Sequence, residues 1–231
     1  MNKLTLGLLA LLLCFGVVMA DPIEADTTKG DTDKYDFTSG DNFTTEGGNV
    51  TEANATLNVS TEKWSGLYGD VDDGSILLAD NSNNIFYEWT WTPASGGKIC
   101  AVAGSVSDWS TISAAAATAI NTVWGFAAGD EDDAVDTFDQ TDAFTFAGTT
   151  VSATAAADTG PNVVADAFRT YLLNISGAAP NAGDKTDLAF CANLSAGGTN
   201  FMNGSSDYEV IVATNETIGQ TEDYYLYLEL D

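Results

Sequence analysis

The sequence predicts a mainly β protein: an antiparallel β-sandwich-like domain over residues 57–231 with one short α-helix at about 108–125. Three observations lead there. Short runs rich in Val, Ile, Leu, Tyr, Phe and Trp recur between clusters of Gly, Asp and Asn, the punctuation of strands and turns. Within those runs apolar residues alternate with a period of two. Helical spacing is kept in one stretch, by Ile112, Ala116, Ile120 and Val123 or Trp124.

Residues 57–91 read as the nucleus of the sheet. Leu57, Val59 and Thr61 alternate with polar neighbours, and Ile76-Leu77-Leu78 is a short apolar strand. Ile85, Tyr87, Trp89 and Trp91 share one strand face, which is expected to be core, leaving Glu88 and Thr90 to solvent. Asp72-Asp73-Gly74 and residues 81–84 are turns, because Asn, Asp and Gly tolerate positive φ. Residues 96–102 add a turn and a strand carrying Cys100. Asp108 or Ser110 can cap the helix, which ends near Gly125; the Ala-rich run can alternatively pack on the sheet as a loop. After an acidic loop at 129–133, strands are expected at 137–146, 149–155, 167–175, 187–194, 207–214 and 222–230. The last alternates Tyr225, Tyr227 and Glu229 against Tyr224, Leu226, Leu228 and Leu230, a half-buried pattern. The Leu-Leu strand followed by a cysteine strand occurs in both halves, 57–129 and 137–231, which raises an internal duplication.

Residues 1–20 have the form of a signal peptide: Lys3, an apolar run from 4 to 18, and Ala20 at the cleavage position. That run is shorter than the ~20 residues needed to span a bilayer. With no hydrophobic C-terminal tail, the expectation is a secreted, extracellular or cell-surface protein without a stable membrane anchor. The 34 acidic against seven basic side chains give a net charge of −27, so nucleic acid and anionic membranes are poor partners on electrostatic grounds. Such a charge is tolerable where concentrated salt screens it, pointing to a halophile. Residues 21–56 are Thr, Asn and Asp rich, a flexible or extended arm. Eight N-x-S/T acceptors, at Asn42, Asn49, Asn54, Asn58, Asn174, Asn193, Asn203 and Asn215, point to N-glycosylation.

Beyond the leader the chain has two cysteines, Cys100 and Cys191, expected to form a disulfide in an oxidising compartment. There is no histidine, which removes Ser-His-Asp and Cys-His catalysis and His-ligated metals. No phosphate-binding glycine loop or nucleophile elbow appears either, and no catalytic residue is assigned. A carboxylate pair of the glycoside-hydrolase type remains a lesser alternative. Asp70, Asp72 and Asp73 are a weak Ca2+ candidate, since they offer hard oxygen ligands but miss the EF-hand register. Exposed tryptophans and tyrosines would instead suit a carbohydrate-binding module, because such rings stack on sugars.

Trp64-Ser65-Gly66-Leu67-Tyr68-Gly69-Asp70-Val71, Ile76-x-Leu78, Tyr87-x-Trp89, Asp108-Trp109-Ser110, Trp124-Gly125-Phe126, residues 207–212 and the terminal Tyr224-Tyr225-Leu226-Tyr227-Leu228-Glu229 form a pattern. It resembles a group of secreted, β-rich archaeal surface proteins of unassigned function from halophilic and small-genome lineages. This chain has Ala213 where that pattern often has Pro. The resemblance implies the β fold and a surface location but transfers no activity. The functional expectation is a structural or interaction protein that self-associates or binds other envelope proteins, with glycans as alternative partners. One specific route is a filament in which the N-terminal arm of one subunit adds a strand to its neighbour.

Overall fold

The computed structural model describes residues 22–34, 44–50, 52, 55–56, 58–72, 74–92, 96–106, 108–159, 168–215 and 220–230. The leader and the acceptors Asn42 and Asn54 lie outside them. The fold is mainly β and antiparallel, as the alternation predicts.

Seven strands form the principal sheet. In chain order they are β1 (Ile23–Glu24), β5 (Gly97–Val102), β7 (Gln140–Phe146), β8 (Thr149–Thr159), β9 (Phe168–Asn174), β10 (Leu188–Asn193) and β14 (Tyr225–Leu230). Their spatial order is β1-β14-β5-β10-β9-β8-β7, with the short β6 (Ser113–Ala114) paired to the end of β9. β5 is buried along its whole length. It lies between β10 and β14, so an interior strand of the sheet comes from the first half of the sequence while both its neighbours come from the second.

Both faces of this sheet are covered. On one, Ile99, Ala101, Leu172, Leu188 and Phe190 meet Val210 and Val212 from β13 (Tyr208–Ala213), and Ile120, Val123 and Trp124 from helix α1 (Thr118–Trp124). β13 pairs with β2 (Trp64–Gly69) to make the second layer of the sandwich. On the other face, Cys100, Val102, Tyr171, Leu173, Cys191 and Tyr227 pack under Trp109 and Ile112 and against Phe144, Phe146 and Val151. The Trp109 ring meets Phe146 and Tyr227 edge-on.

Three sequence expectations change. Residues 58–61 form no strand, and β2 starts at Trp64 and pairs with β13, some 140 positions along, rather than with its neighbours in the 57–91 stretch. The helix expected over 108–125 occupies only residues 118–124. Asp108 accepts the Ser110 N–H at 2.8 Å in a local turn, and Ser113–Ala114 pairs with β9. Ala115 N–H donates to Thr154 Oγ1, and Ala155 N–H to Ala115 O, both at 3.0 Å, so sheet bonds hold the Ala-rich run extended. The expected C-terminus is present: Gly125, at φ 79°, returns its N–H to Asn121 O. Finally, a short helix α2 (Ala134–Thr137) stands between the expected acidic loop and the following strand, capped by Asp133 through the N–H groups of Val135 and Asp136.

Candidate interaction surface

β3 (Gly74–Ala79) and β4 (Ile85–Trp91) pair only with each other among the described residues. The turn between them is fixed by Asp80. Its carboxylate accepts the N–H groups of Ser82 and Asn84 at 2.9 Å each and the Asn84 side-chain amide at 2.7 Å. These bonds, the Asn84 side chain's first, hold Asp80 below the ordinary carboxylate range.

At the base Trp91 is 5 % exposed and belongs to the core; its Nε1 donates to Gly96 O at 3.0 Å. Gly97, at φ 149°, makes room for that ring. A Cβ there would stand 2.8 Å from Glu229 O and 3.1 Å from Trp91 Cζ2. Outward from Trp91 the ribbon leaves the core. Ile76 faces Trp89 and Leu78 faces Tyr87 in register, all on the Trp91 side, and each is about half exposed. The opposite side carries Ser75, Leu77, Glu88 and Thr90, with Ser75 Oγ hydrogen-bonded to Glu88. Phe86, at the bulge, is 84 % exposed. The expectation that the Tyr87-Trp89-Trp91 face is core is therefore corrected: Trp91 alone is buried. Alternation states which residues share a face, and does not state whether a second layer lies over that face.

A second exposed aromatic group stands at the end of β2. Tyr68 packs edge-on against Phe201 at 5.0 Å, with Met202 beside it in sequence. The supporting loop is set by the buried Asn200, which accepts N–H groups from Met202 and Gly204 and donates to Ser206 Oγ, and by Glu209, which accepts from Phe201 N–H.

The described start of the N-terminal arm pairs with β14 over two residues. Ile23 and Glu24 pair with Leu228 and Tyr227, and Ala25 N–H donates to Leu226 O. Ile23 is nevertheless 70 % exposed, and residues 26–34 form no regular structure. Lys34 then pairs with Glu62 at 2.5 Å.

The remaining candidate residues are placed as follows. Cys100 and Cys191 are direct register partners, Cα atoms 4.0 Å apart, and form the expected disulfide. Asn49, Asn58, Asn193 and Asn203 are exposed acceptors, and Asn215 is half buried. Asn174 is buried; its amide donates to Ala178 O at 2.7 Å and accepts Ser176 N–H at 3.0 Å, so in the folded chain it lacks the exposure a glycan acceptor needs. Asp70 and Asp72 are exposed, Asp73 lies outside the described residues, and no group of three His, Cys, Asp or Glu side chains converges among the described residues. In the neighbouring acidic loop Asp130 and Asp132 each bond Lys63 Nζ at 2.7 Å, while Asp133 is occupied by backbone N–H groups. Every described carboxylate with a resolved shift, Asp80, Asp108, Asp132, Asp133 and Asp142, is held below its ordinary range. No helix among the described residues is long and apolar enough to cross a membrane.

No family model, curated protein or solved structure matches the chain.

Proposed function

We propose that this is a secreted, N-glycosylated cell-surface protein of structural or interaction type, whose subunits join by strand addition of the N-terminal arm. One observation carries the reading: among the described residues, the β14 edge is paired by a two-residue strand at the start of an arm in which residues 26–34 form no regular structure. An arm held by so few contacts can make the same pairing on a neighbour at little cost, and head-to-tail exchange of that kind generates open filaments. The exposed acceptors Asn49, Asn58, Asn193 and Asn203 support the surface location. Deleting residues 21–50 is expected to abolish arm-mediated polymers in size-exclusion chromatography, and unchanged assembly would sink the proposal.

The exposure of Tyr87 and Trp89 favours a second reading, a carbohydrate-binding module. A glycan array with the wild type and Trp89→Ser compares the two directly.

A further inference from the structure

The β3–β4 ribbon is an apolar arm that a small, strongly acidic protein would not leave in water. An isolated two-stranded hairpin is marginal by itself and needs a third strand or a packed face. Four side chains on the Trp91 side, Ile76, Leu78, Tyr87 and Trp89, are each about half exposed. Together they present roughly 500 Å² of contiguous surface, at the upper end of the largest patch an ordinary monomer exposes, and patches of that rank are often functional.

We infer that this face docks on the same face of a second copy of the chain, in a two-fold contact separate from arm exchange. Three observations select that occupant.

The first is charge. A chain of net charge −27 repels its own copies over most of its surface. The ribbon has only two carboxylates. Asp80 is tied into the turn and Glu88 is on the opposite side, so this is a face on which two copies can meet without bringing carboxylates together.

The second is area. Burying the face on both copies removes roughly 1,000 Å², the lower bound for a specific interface. A two-fold contact needs one self-complementary patch, which every copy carries.

The third is the chemistry beside the rings. Tyr87 and Trp89 are tilted 56° to each other with centroids 4.7 Å apart, so they do not form one flat platform. Their register partners on that face are Leu78 and Ile76, where a sugar would need hydrogen-bonding groups. The pairing suits an apolar protein surface.

The test uses the full chain without its leader, in molar salt, by sedimentation velocity at micromolar concentrations. Trp89→Ser and Leu78→Ser are each expected to weaken dimerisation at least about tenfold, as loss of a central apolar anchor does. The Cys100–Cys191 disulfide and far-ultraviolet circular dichroism report that both variants fold, since neither residue belongs to the core. Leu78→Cys is expected to cross-link copies under mild oxidation, and Thr90→Cys, on the opposite side, is not. A monomeric wild type, a dimer unchanged in both serine variants, or equal cross-linking from the two cysteine variants would overturn the inference. So would glycan binding by a monomeric wild type that Trp89→Ser abolishes, which would assign the face to sugar. Deleting residues 21–50 removes arm exchange and is expected to leave the hairpin dimer, so either contact can fail without the other.

Discussion

Lys98 and Glu229 are register partners on adjacent strands, both buried, with Nζ 3.5 Å from Oε1. The second Glu229 oxygen accepts the N–H of Ala147 from the β7–β8 turn. A charge pair this deep is strongly destabilising to break and cheap to replace, because removing one partner leaves the other's charge less compensated in low dielectric. Lys98→Met and Glu229→Leu are each expected to lose about 3–5 kcal/mol in urea unfolding, and the double variant to be more stable than either. Additive losses would show that the pair is not coupled. Full recovery is not expected, because the Ala147 N–H still loses its acceptor.

The disulfide joins central strands 91 residues apart in sequence. In the chain-entropy account a loop of that length contributes about 4–5 kcal/mol by restricting the unfolded chain. Replacing both cysteines with Ala should lower the urea midpoint accordingly, and adding reductant to the unfolded wild type should reproduce the effect. Intact mass under non-reducing conditions checks that the bond is formed at the outset.

Lys63 is buried between Asp130 and Asp132, and also anchors the region in which Trp64 Nε1 donates to Asp132 O. Burial alone would lower the Lys63 pKa; the bonds from the two carboxylates outweigh it and hold the group above its ordinary value. Asp132 is held below its own, by Lys63 first and then Thr61. A carboxylate lowered by folding adds stability above its unfolded pKa, near ~3.9, and loses it as pH falls through the folded value. A raised lysine adds stability below its unfolded pKa of about 10.4 and loses it as pH rises through the folded value. Lys63→Met should therefore be destabilised most between about pH 4 and pH 10, with the gap to wild type narrowing in stronger acid. Urea unfolding at neutral and acid pH measures that gap, and a gap independent of pH would refute the assignment.

The β7–β8 hairpin turns through Ala147 and Gly148, with φ of 48° and 70°. Two consecutive positive φ values are those of a type I′ turn, which favours Asn-Gly. Ala147→Asn keeps the N–H that Glu229 accepts and relieves the backbone, so it should add about 0.5–1 kcal/mol, read as a higher melting temperature.

Strand positions were largely legible in the sequence, because alternation and turn clusters are local. β4, β5, β7, β9, β10, β13 and β14 lie within the runs that announce them, and β3 extends the Ile76–Leu78 run at both ends. Burial was less legible. In β14 the alternation suggests leucines inside, yet Tyr227 and Glu229 are both 2 % exposed while Leu226 and Leu228 are only half buried. Glu229 is tolerated inside because Lys98 faces it, and Tyr227 because its Oη accepts the Val106 N–H and its ring meets Trp109. Both partners are more than a hundred positions away, beyond the reach of any pattern in residues 222–230. The candidate surface was misread for the converse reason. Residues 85–91 have the composition of a buried strand, and only their missing neighbours, a tertiary fact, leave them outside.

β5 is in place only when β14 has paired along it, and β1 in turn pairs along β14. For a chain made from its N-terminus, the central strand therefore waits, with its outer edge open, for residues 225–230. Closure of the sheet is a late, long-range event, the kind of contact that slows folding. Until residues 225–230 are made the outer edge of β5 is unpaired, so the last-made pairing, and not the first, fixes the shape of the principal sheet.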